Sequence, residues 1–285
     1  MFWKNWVREP AITSQILVVS AASPTYFRSL LQLLLSLRRH GHTSCIVYDL
    51  GLSDRQRCRL LREFGWIELR SLPAGPPHLS DWSNYAWKPT VLAEVLEESR
   101  VPVLWLDSAC VLVNSFESIE RHVRFHGLWV PLAGRGCLEE RTHPATLRQM
   151  GVEESICKER FRAGGVCAFD PGQPRVLELV RQWRKLSWIP ELLAPAGSNR
   201  ENHRYDQALL TILLSRSELN PSLDEIDISS SCPVAYLRTR NKVANWIPLG
   251  LDALVRFCFA VRRHFDVLIW KWRDRAGQAR TDCHD

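Results

Sequence analysis

The chain has 285 residues, of which 46% are hydrophobic, and a formal net charge of +6. This length suits one α/β domain of about 200–250 residues with an appendage, and the hydrophobic content excludes a generally disordered chain. Residues 238–285 hold ten Lys and Arg against five Asp and Glu, which leaves the first 237 residues with a net charge of about +1. The body therefore lacks the basic footprint of a nucleic-acid-binding protein.

The cysteines and the N-terminal segment bear on the cellular compartment. The nine cysteines form no CxxC pair, and their number is odd. This usage favours a reduced, cytoplasmic protein over a disulfide framework. The first 15 residues hold no apolar signal-peptide core, and no run of about 18 apolar residues occurs, so we expect neither a secretory signal nor a transmembrane span.

Predicted strands and helices alternate through the first part of the chain. The predicted strands are Gln15–Ser20, Thr43–Leu50, Trp66–Leu72 and a strand in the run Val101–Val113. The predicted helices between them are Thr25–His40, residues 53–64, which Ser53 caps, and Lys88–Arg100. This alternation predicts an α/β fold with a doubly wound, mostly parallel sheet.

In the second part of the chain, predicted strands and helices no longer alternate strictly. Leu128–Leu132 and Gly165–Phe169 are predicted strands, whereas Gln173–Leu186 and Asn202–Ser215 are predicted helices. We expect one α/β domain over residues 1–237 and a basic, amphipathic helical tail over residues 238–285.

The stretch VPVLWLDSACVLV, Val101–Val113, is a near-continuous apolar run with one acid, Asp107. A strand this apolar is buried on both faces, and an acid that ends it lies at the edge of the sheet where α/β proteins bind ligands. Burying a bare charge is costly, so a metal ion, a sugar hydroxyl or a ribose is a candidate partner.

The segment Asp107-Ser108-Ala109 bears on metal binding. Two acids one residue apart can share a divalent cation that also binds a diphosphate. Because Ala109 stands where the second acid would be, either Asp107 binds Mn²⁺ or Mg²⁺ with ligands from elsewhere, or no metal is used.

The first two strands also end in candidate site residues. Ala21 and Ala22 follow the first strand, where small side chains let a ligand approach the backbone, although a plain strand–helix turn fits equally. Asp49 ends the second strand, where an acid can accept hydrogen bonds from a ribose or a base. The alternative for Asp49 is an exposed turn or the cap of the next helix.

A lysine and a pair of glycines are further candidates. Lys88 opens a helix, where its charge opposes the helix dipole, so we expect it to bind a phosphate or the Asp107 carboxylate unless it is simply solvated. Gly164 and Gly165 precede a strand, where paired glycines allow either close approach of a ligand or a tight turn.

The segment NHRYDQ opens an apolar helix in the prediction. His203 and Asp206 are three residues apart and would share one helix face. These side chains, with Gln207, could bind the hydroxyls of a sugar, although an acid in a first helical turn is also an ordinary partner of the helix dipole.

Seven segments, taken in order, resemble the GT-A nucleotide-diphospho-sugar transferases: VVSAAS, VYDLGLS, YAWKP, LWLDSA, THPATLRQMG, FRAGGVCAFD and NHRYDQALLTILL. The resemblance covers roughly residues 15–216 and is closest to glycosyltransferase-like proteins of bacterial surface-polysaccharide loci and their animal relatives. It implies a GT-A type sheet and transfer of a sugar from a UDP- or GDP-sugar to the hydroxyl of a glycan or lipid-linked acceptor, in cell-surface polysaccharide or glycolipid synthesis.

The resemblance also implies roles for residues on the donor side. Ala21, Ala22 and Asp49 would line the nucleotide pocket, and Asp107 would be the first acid of the DxD element. The departure from the family pattern is Ala109, which replaces the second acid and puts the use of Mn²⁺ in question.

Other roles concern the sugar and the chemistry. By resemblance, Gly164 and Gly165 would border the donor sugar, while Asp206 and Gln207 would face the sugar or the acceptor. Glycosyl transfer places charge on the leaving diphosphate, which Lys88, a helix N-terminus or a metal could stabilise. An inverting reaction also requires a base, for which Asp206 is the candidate.

Two other function classes remain open at this stage. The first is a non-catalytic nucleotide-sugar-binding or scaffold protein of the same fold, disabled by Ala109. The second is a nucleotidyltransferase, a class expected to show a glycine-rich phosphate loop that SAASPT does not provide.

If the tail segment Leu251–Arg275 is a helix, its apolar residues lie mostly on one face and its charged residues mostly on the other, although a few charged residues fall on the apolar face. Basic, aromatic amphipathic helices can lie in a membrane interface. We therefore expect a cytoplasmic protein that is peripheral on the inner face of the membrane, the alternatives being a helix packed on the body or a dimer contact.

Overall fold

The computed structural model describes residues 16–226 and 234–236. The strands are β1 (Leu17–Ala22), β2 (Cys45–Asp49), β3 (Ile67–Ser71), β4 (Val103–Leu106), β5 (Cys110–Leu112), β6 (Leu128–Trp129), β7 (Leu132–Cys137), β8 (Arg160–Arg162), β9 (Val166–Phe169) and β10 (Val234–Tyr236). The α-helices are α1 (Phe27–Arg39), α2 (Asp54–Glu63), α3 (Trp87–Glu98), α4 (Glu117–His126), α5 (Leu138–Arg141), α6 (Pro144–Gln149), α7 (Glu154–Cys157), α8 (Pro174–Ser187), α9 (Pro190–Leu193) and α10 (Asp206–Ser215).

Six strands form the central sheet in the order β3-β2-β1-β4-β9-β6. Strands β1 to β4 pair in parallel, and β9 runs antiparallel to both of its neighbours, β4 and β6. The predicted mostly parallel sheet is confirmed. The reversed direction of β9 brings the segment before it, with Gly164 and Gly165, to the carboxyl edge of β4.

The sheet is covered by helices on both faces. Successive residues of a strand point to opposite faces, so Val19 and Trp105 pack with α3, α8 and α10, whereas Val18 and Leu104 pack with α1, α2 and α4. Two buried apolar layers of this kind make the sheet doubly wound, as predicted.

The start of α2 shows how local sequence sets an element boundary. The Gln56 backbone N–H donates to Ser53 Oγ at 3.3 Å, and the Ser53 backbone N–H donates to Gln56 Oε1 at 3.0 Å. This reciprocal capping box satisfies two backbone donors at the helix end, and it confirms Ser53 as the predicted cap.

The apolar run Val101–Val113 contains two strands, and Asp107 directly follows the first of them, where the sequence predicted that a strand ends. The Asp107 backbone N–H donates to the Gly165 carbonyl, and the Cys110 N–H donates to the Asp107 carbonyl, each at 2.8 Å. This turn separates β4 from β5, and β5 leaves the central sheet to pair with β10. Asp107 therefore lies at the end of β4, at the sheet's carboxyl edge.

The predicted helix over Asn202–Ser215 begins at Asp206 instead. Tyr205 has a φ of 48°, a left-handed conformation that a right-handed helix cannot contain. His203 therefore belongs to the preceding loop, and the prediction that it shares a helix face with Asp206 is wrong.

The predicted tail lies outside the described residues. The boundary at residue 237 and the helix Leu251–Arg275 both fall there. Within residues 16–226 and 234–236, no helix has the length and apolar character needed to cross a membrane.

Candidate functional site

A cavity of about 760 Å³ opens at the carboxyl edge of the sheet. Because β1 and β4 are parallel neighbours, their ends bring Ala21, Ala22 and Asp107 to one place. Lys88, at the start of α3, also lines the cavity, as do Asp206 and Gln207 at the start of α10. Gly164 and Gly165, which directly precede β9, complete the set of predicted residues that line it. Eight of the ten predicted site residues therefore line one cavity.

Three charged side chains form the floor of this cavity. Lys88 Nζ lies 3.1 Å from Asp107 Oδ1 and 3.7 Å from Asp206 Oδ2, and it donates to the Gly164 carbonyl at 3.0 Å. We call Lys88, Asp107 and Asp206 the charge cluster. The sequence expectation that Lys88 binds the Asp107 carboxylate is confirmed.

Burial controls the protonation of the charge cluster. Burial raises the pKa of Asp206 to about 7, while the nearby Lys88 ammonium opposes that rise. For Lys88, burial favours the neutral amine, but attraction to Asp107 and Asp206 prevails and holds its pKa above the ordinary value. At neutral pH the cluster thus combines a fixed ammonium with a carboxyl group poised between its two protonation states.

Asp107 is the most accessible acid of the cluster. Its side chain is 22% exposed, against 4% for each of Lys88 and Asp206. Trp105 Nε1 donates to Asp107 Oδ1 at 2.8 Å, so the carboxylate is oriented by an indole and an ammonium together. It can therefore meet a ligand while its direction is fixed by neighbours.

The described residues around Asp107 do not fit a divalent metal site. Ala109 lines the same cavity and is largely buried, but it offers no ligand atom. In residues 16–226, no three Cys, His, Asp or Glu side chains are grouped so that they could hold a metal ion. Hard divalent cations bind through several oxygen ligands, whereas here the Lys88 ammonium lies against Asp107.

The glycine pair brings backbone close to α10. A Cβ added at Gly164 would lie 3.0 Å from Gln207 Cβ, too close without rearrangement. Gln207 Nε2 also donates to the Arg162 carbonyl at 2.5 Å. Gly164 therefore packs closely against Gln207, which lines the cavity.

Asp49 does not line the cavity, contrary to the predicted nucleotide contact. Its Oδ1 accepts hydrogen bonds from the Gly51 and Leu52 N–H groups at 2.8 and 2.6 Å, and its Oδ2 is 2.5 Å from Arg57 Nε. One oxygen is thus used by the turn before α2 and the other by Arg57 of α2. Asp49 is therefore a turn residue, as in one of the alternatives that the sequence left open, but it is largely buried, and the cap of α2 is Ser53.

His203 is a buried structural residue and not a sugar ligand. Its Nδ1 accepts from the His143 N–H at 3.1 Å, and its Nε2 lies 2.8 Å from the Leu193 carbonyl, to which it donates. Burial lowers the pKa of His203 to about 4. The neutral ring is therefore saturated with hydrogen bonds and ties the loop before α10 to two other segments.

Sequence reasoning missed several residues of the cavity. Three arginines, Arg141, Arg200 and Arg204, line it, as do two tyrosines, Tyr85 and Tyr205. Both tyrosines have a positive φ, 64° and 48°, which is uncommon for a residue other than glycine and is concentrated at functional sites. The arginine pair in NRENHR, next to Asp206, is a signal that could have been used, whereas the position of Arg141 depends on tertiary structure alone.

The comparison with protein families gives a partial match. The family described as a protein of unknown function (DUF1647) matches residues 6–93, less than half of the chain. A match of that extent does not place the whole chain in the family. No curated protein is significantly similar to the chain.

Among solved structures, the chain is similar to several glycosyltransferases. The apo structure of the bifunctional glycosyltransferase WbbM is 14% identical with a TM-score of 0.47, over 72% of this chain and 38% of that one. The galactosyltransferase LgtC, solved with donor and acceptor sugar analogues, is 18% identical with a TM-score of 0.44, over 69% and 70%. Mouse xyloside xylosyltransferase 1 in its apo form is 11% identical with a TM-score of 0.48, over 74% and 85%.

These neighbours belong to the class that the resemblance in the sequence named. The chain spans well under half of the WbbM polypeptide, and every one of these TM-scores is below 0.5. No activity, substrate or residue role is therefore transferred from them, and the α/β architecture is established by the topology of the sheet itself.

Proposed function

We propose that the protein is a glycosyltransferase that moves a sugar from a UDP- or GDP-sugar to a hydroxyl acceptor. The observation that carries this proposal is the charge cluster at the floor of the cavity, at the sheet edge where α/β proteins bind ligands. A buried carboxyl group with a pKa near 7 is suited to accept a proton from an alcohol at neutral pH.

The proposed reaction assigns a part to each group. The bond between C1 of the sugar and the diphosphate oxygen breaks, and the electron pair leaves with the nucleoside diphosphate. The acceptor oxygen bonds to C1, and its proton passes to the Asp206 carboxylate. Asp107 orients the donor, and the Lys88 ammonium holds the two acids in place and adds positive charge.

The remaining lining residues have binding roles in this proposal. The small side chains of Ala21 and Ala22 let the nucleotide approach the end of β1. Gly164 and Gly165 border the donor sugar, as two lining residues of the cavity that lie beside Lys88 and Gln207. Gln207 offers an amide that can hydrogen-bond a sugar hydroxyl.

One specific observation favours a second candidate, a nucleotide-sugar-binding protein without activity. Ala109 removes an acid from the DxD pattern, and Asp107 is already paired with Lys88. A site built in this way could bind a donor and fail to turn it over.

Donor turnover by the full chain tests the proposal. We expect UDP- or GDP-sugars to release nucleoside diphosphate in the presence of acceptor alcohols, and Asp107→Asn to abolish most of this release. Asp54→Asn is a matched control, because the Asp54 side chain is 95% exposed and lies on α2, away from the cavity. Binding without turnover supports the inactive candidate, and release of pyrophosphate supports a nucleotidyltransferase.

The cellular setting is also a proposal. We place the protein in the cytoplasm, at the inner face of the membrane, in the synthesis of surface polysaccharide or glycolipid. The support is the basic, amphipathic sequence of Leu251–Arg275, which suits a protein that meets lipid-linked acceptors. Full-length protein is expected to float with anionic liposomes, and replacing Arg262 and Arg263 with Glu is expected to reduce this; equal flotation would contradict the proposal.

A further inference from the structure

We propose that arginines of the cavity hold the donor's diphosphate, without a divalent metal at Asp107. This inference rests on the proposed function and concerns how the same site manages the charge of its substrate. The arginines are Arg141, Arg200 and Arg204, which line the cavity together with the charge cluster.

The Lys88 ammonium already occupies the inner side of Asp107. Its Nζ contacts Asp107 Oδ1 at 3.1 Å and the Gly164 carbonyl at 3.0 Å, and it is 4% exposed. A divalent cation bound to the same oxygen would lie beside this ammonium and be repelled by it. The second acid that could offset this repulsion is replaced by Ala109.

Arg200 reaches the cavity over an aromatic ring that Lys88 also contacts. Its guanidinium lies 5.5 Å from the centre of the Tyr85 ring and donates to Tyr85 Oη at 2.5 Å. Lys88 Nζ lies 5.4 Å from the same ring centre. The two cations are thus separated by no more than the sum of these distances, which a diphosphate and its sugar can bridge.

Arg141 and Arg204 are held side by side by the backbone. The Arg204 N–H donates to the Arg141 carbonyl at 3.0 Å. Next to them, His203 accepts from the His143 N–H and donates to the Leu193 carbonyl. The neutral His203 therefore fixes the loop that carries Arg200 and Arg204 against the segment that carries Arg141.

The arginines have the chemistry and the charge for a diphosphate. In the described part of the chain, neither Arg141 nor Arg200 forms an ion pair with a carboxylate. A guanidinium can donate two parallel hydrogen bonds to phosphate oxygens. The four cations of the cavity, which are Lys88 and the three arginines, outnumber its acids, which are Asp107, Asp206 and Glu201.

The test measures binding of UDP and GDP to the full chain by calorimetry. We expect UDP or GDP, whichever of the two binds, to have the same Kd in excess EDTA as in the presence of Mn²⁺ or Mg²⁺. In EDTA, Arg200→Gln is expected to weaken this binding about tenfold or more, and Arg200→Lys less. Arg148→Gln, which alters an exposed arginine outside the cavity, is the control and should change nothing.

Three further measurements separate a lost phosphate contact from a misfolded protein. Circular dichroism and thermal unfolding of Arg200→Gln should match those of the wild type, because Arg200 is exposed. Binding of the parent nucleoside, uridine or guanosine, should be the same in the variant and the wild type. A loss that extends equally to the nucleoside would overturn the assignment of Arg200 to the diphosphate.

The outcomes distinguish this inference from the proposed function. Nucleotide binding that appears only with Mn²⁺ or Mg²⁺ overturns the inference and leaves the proposed function standing. Electron paramagnetic resonance that shows Mn²⁺ bound to the wild type but not to Asp107→Asn also overturns the inference and leaves the proposed function standing. Absence of UDP and GDP binding in every buffer overturns both.

Discussion

Asp49 and Asp107 look alike in the sequence and have different surroundings in the structure. Each acid lies at the end of an apolar strand, and the two strands, which run in parallel, end at the same edge of the central sheet. Asp49 is bound by its own turn and by Arg57, eight residues later. Asp107 is bound by Lys88, which lies on another element, and its carboxylate faces the cavity.

The turns that follow the two acids explain why one carboxylate at a strand end is available to a ligand and the other is not. After Asp49, Gly51 adopts a φ of 89° and lets the chain fold back, so that backbone N–H groups reach the carboxylate. After Asp107 the chain turns directly into β5, and the side chain of Asp107 is held by Trp105 and Lys88 instead. An acid satisfied by its own turn has little left to offer a ligand.

The largest effect is expected from removing the partner of Asp107. Lys88→Met leaves Asp107 and Asp206 without their ammonium, and breaking a buried ion pair from one side costs about 3–5 kcal/mol of unfolding free energy. Arg57→Met removes the partner of Asp49 and is the matched control, with a much smaller expected loss because Arg57 is solvated. Urea unfolding measures both; equal losses would mean that the charge cluster is not a tight buried group.

The next effect concerns activity. Asp107→Asn is expected to lower kcat/KM for the donor sugar by about 10²–10³-fold, because the site loses the carboxylate that orients Lys88 and the donor. Asp49→Asn is expected to keep kcat/KM near the wild-type value. If the two variants lose activity equally, the turn around Asp49 belongs to the site after all.

The pH dependence of activity sharpens the role assigned to Asp206. Because the base must be deprotonated, kcat/KM should rise about tenfold per pH unit below pH 7 and level off above it, given a pKa of about 7. Asp206→Asn should remove this rise along with most of the activity. A wild-type profile that is flat between pH 5.5 and 8.5, the range of roughly 1.5 units on either side of that pKa, would exclude Asp206 as the base.

The smallest effect is expected at Asp49 itself. Asp49→Ala removes the acceptor for the Gly51 and Leu52 N–H groups and should cost about 1 kcal/mol of unfolding free energy. Asp49→Asn keeps an acceptor oxygen in place and should cost less. Thermal unfolding of the two variants measures the difference, and a larger loss for Asn than for Ala would contradict the turn geometry.

Much of the fold was predictable because its causes are local. The apolar runs of β1, β2 and β4 and the capping box at Ser53 act over a few residues, so the alternation of strands and helices could be read directly. The boundary of α10 was missed because the positive φ of Tyr205 leaves no mark in the residue pattern. The antiparallel direction of β9 depends on its neighbours in the sheet.

The site residues that could be predicted from the sequence are those at the ends of elements that meet at the carboxyl edge of the sheet. Lys88, Asp107 and Asp206 stand at element ends that a parallel fold brings together, so each could be proposed from its position along the chain. His203 was assigned wrongly because its two hydrogen-bond partners, His143 and Leu193, lie 60 and 10 residues away along the chain and meet it only in the tertiary structure. Arg141 was missed for the same reason.

The sequence alone determined the class of fold and the acid-bearing edge, since hydrophobic period and capping are encoded residue by residue. Which acids can meet a ligand, and which are bound within the protein, depends on the tertiary structure, because it sets which cations and N–H groups fold against each carboxylate. Asp49 meets its partners within eight residues, whereas Asp107 meets Lys88 across the sheet edge.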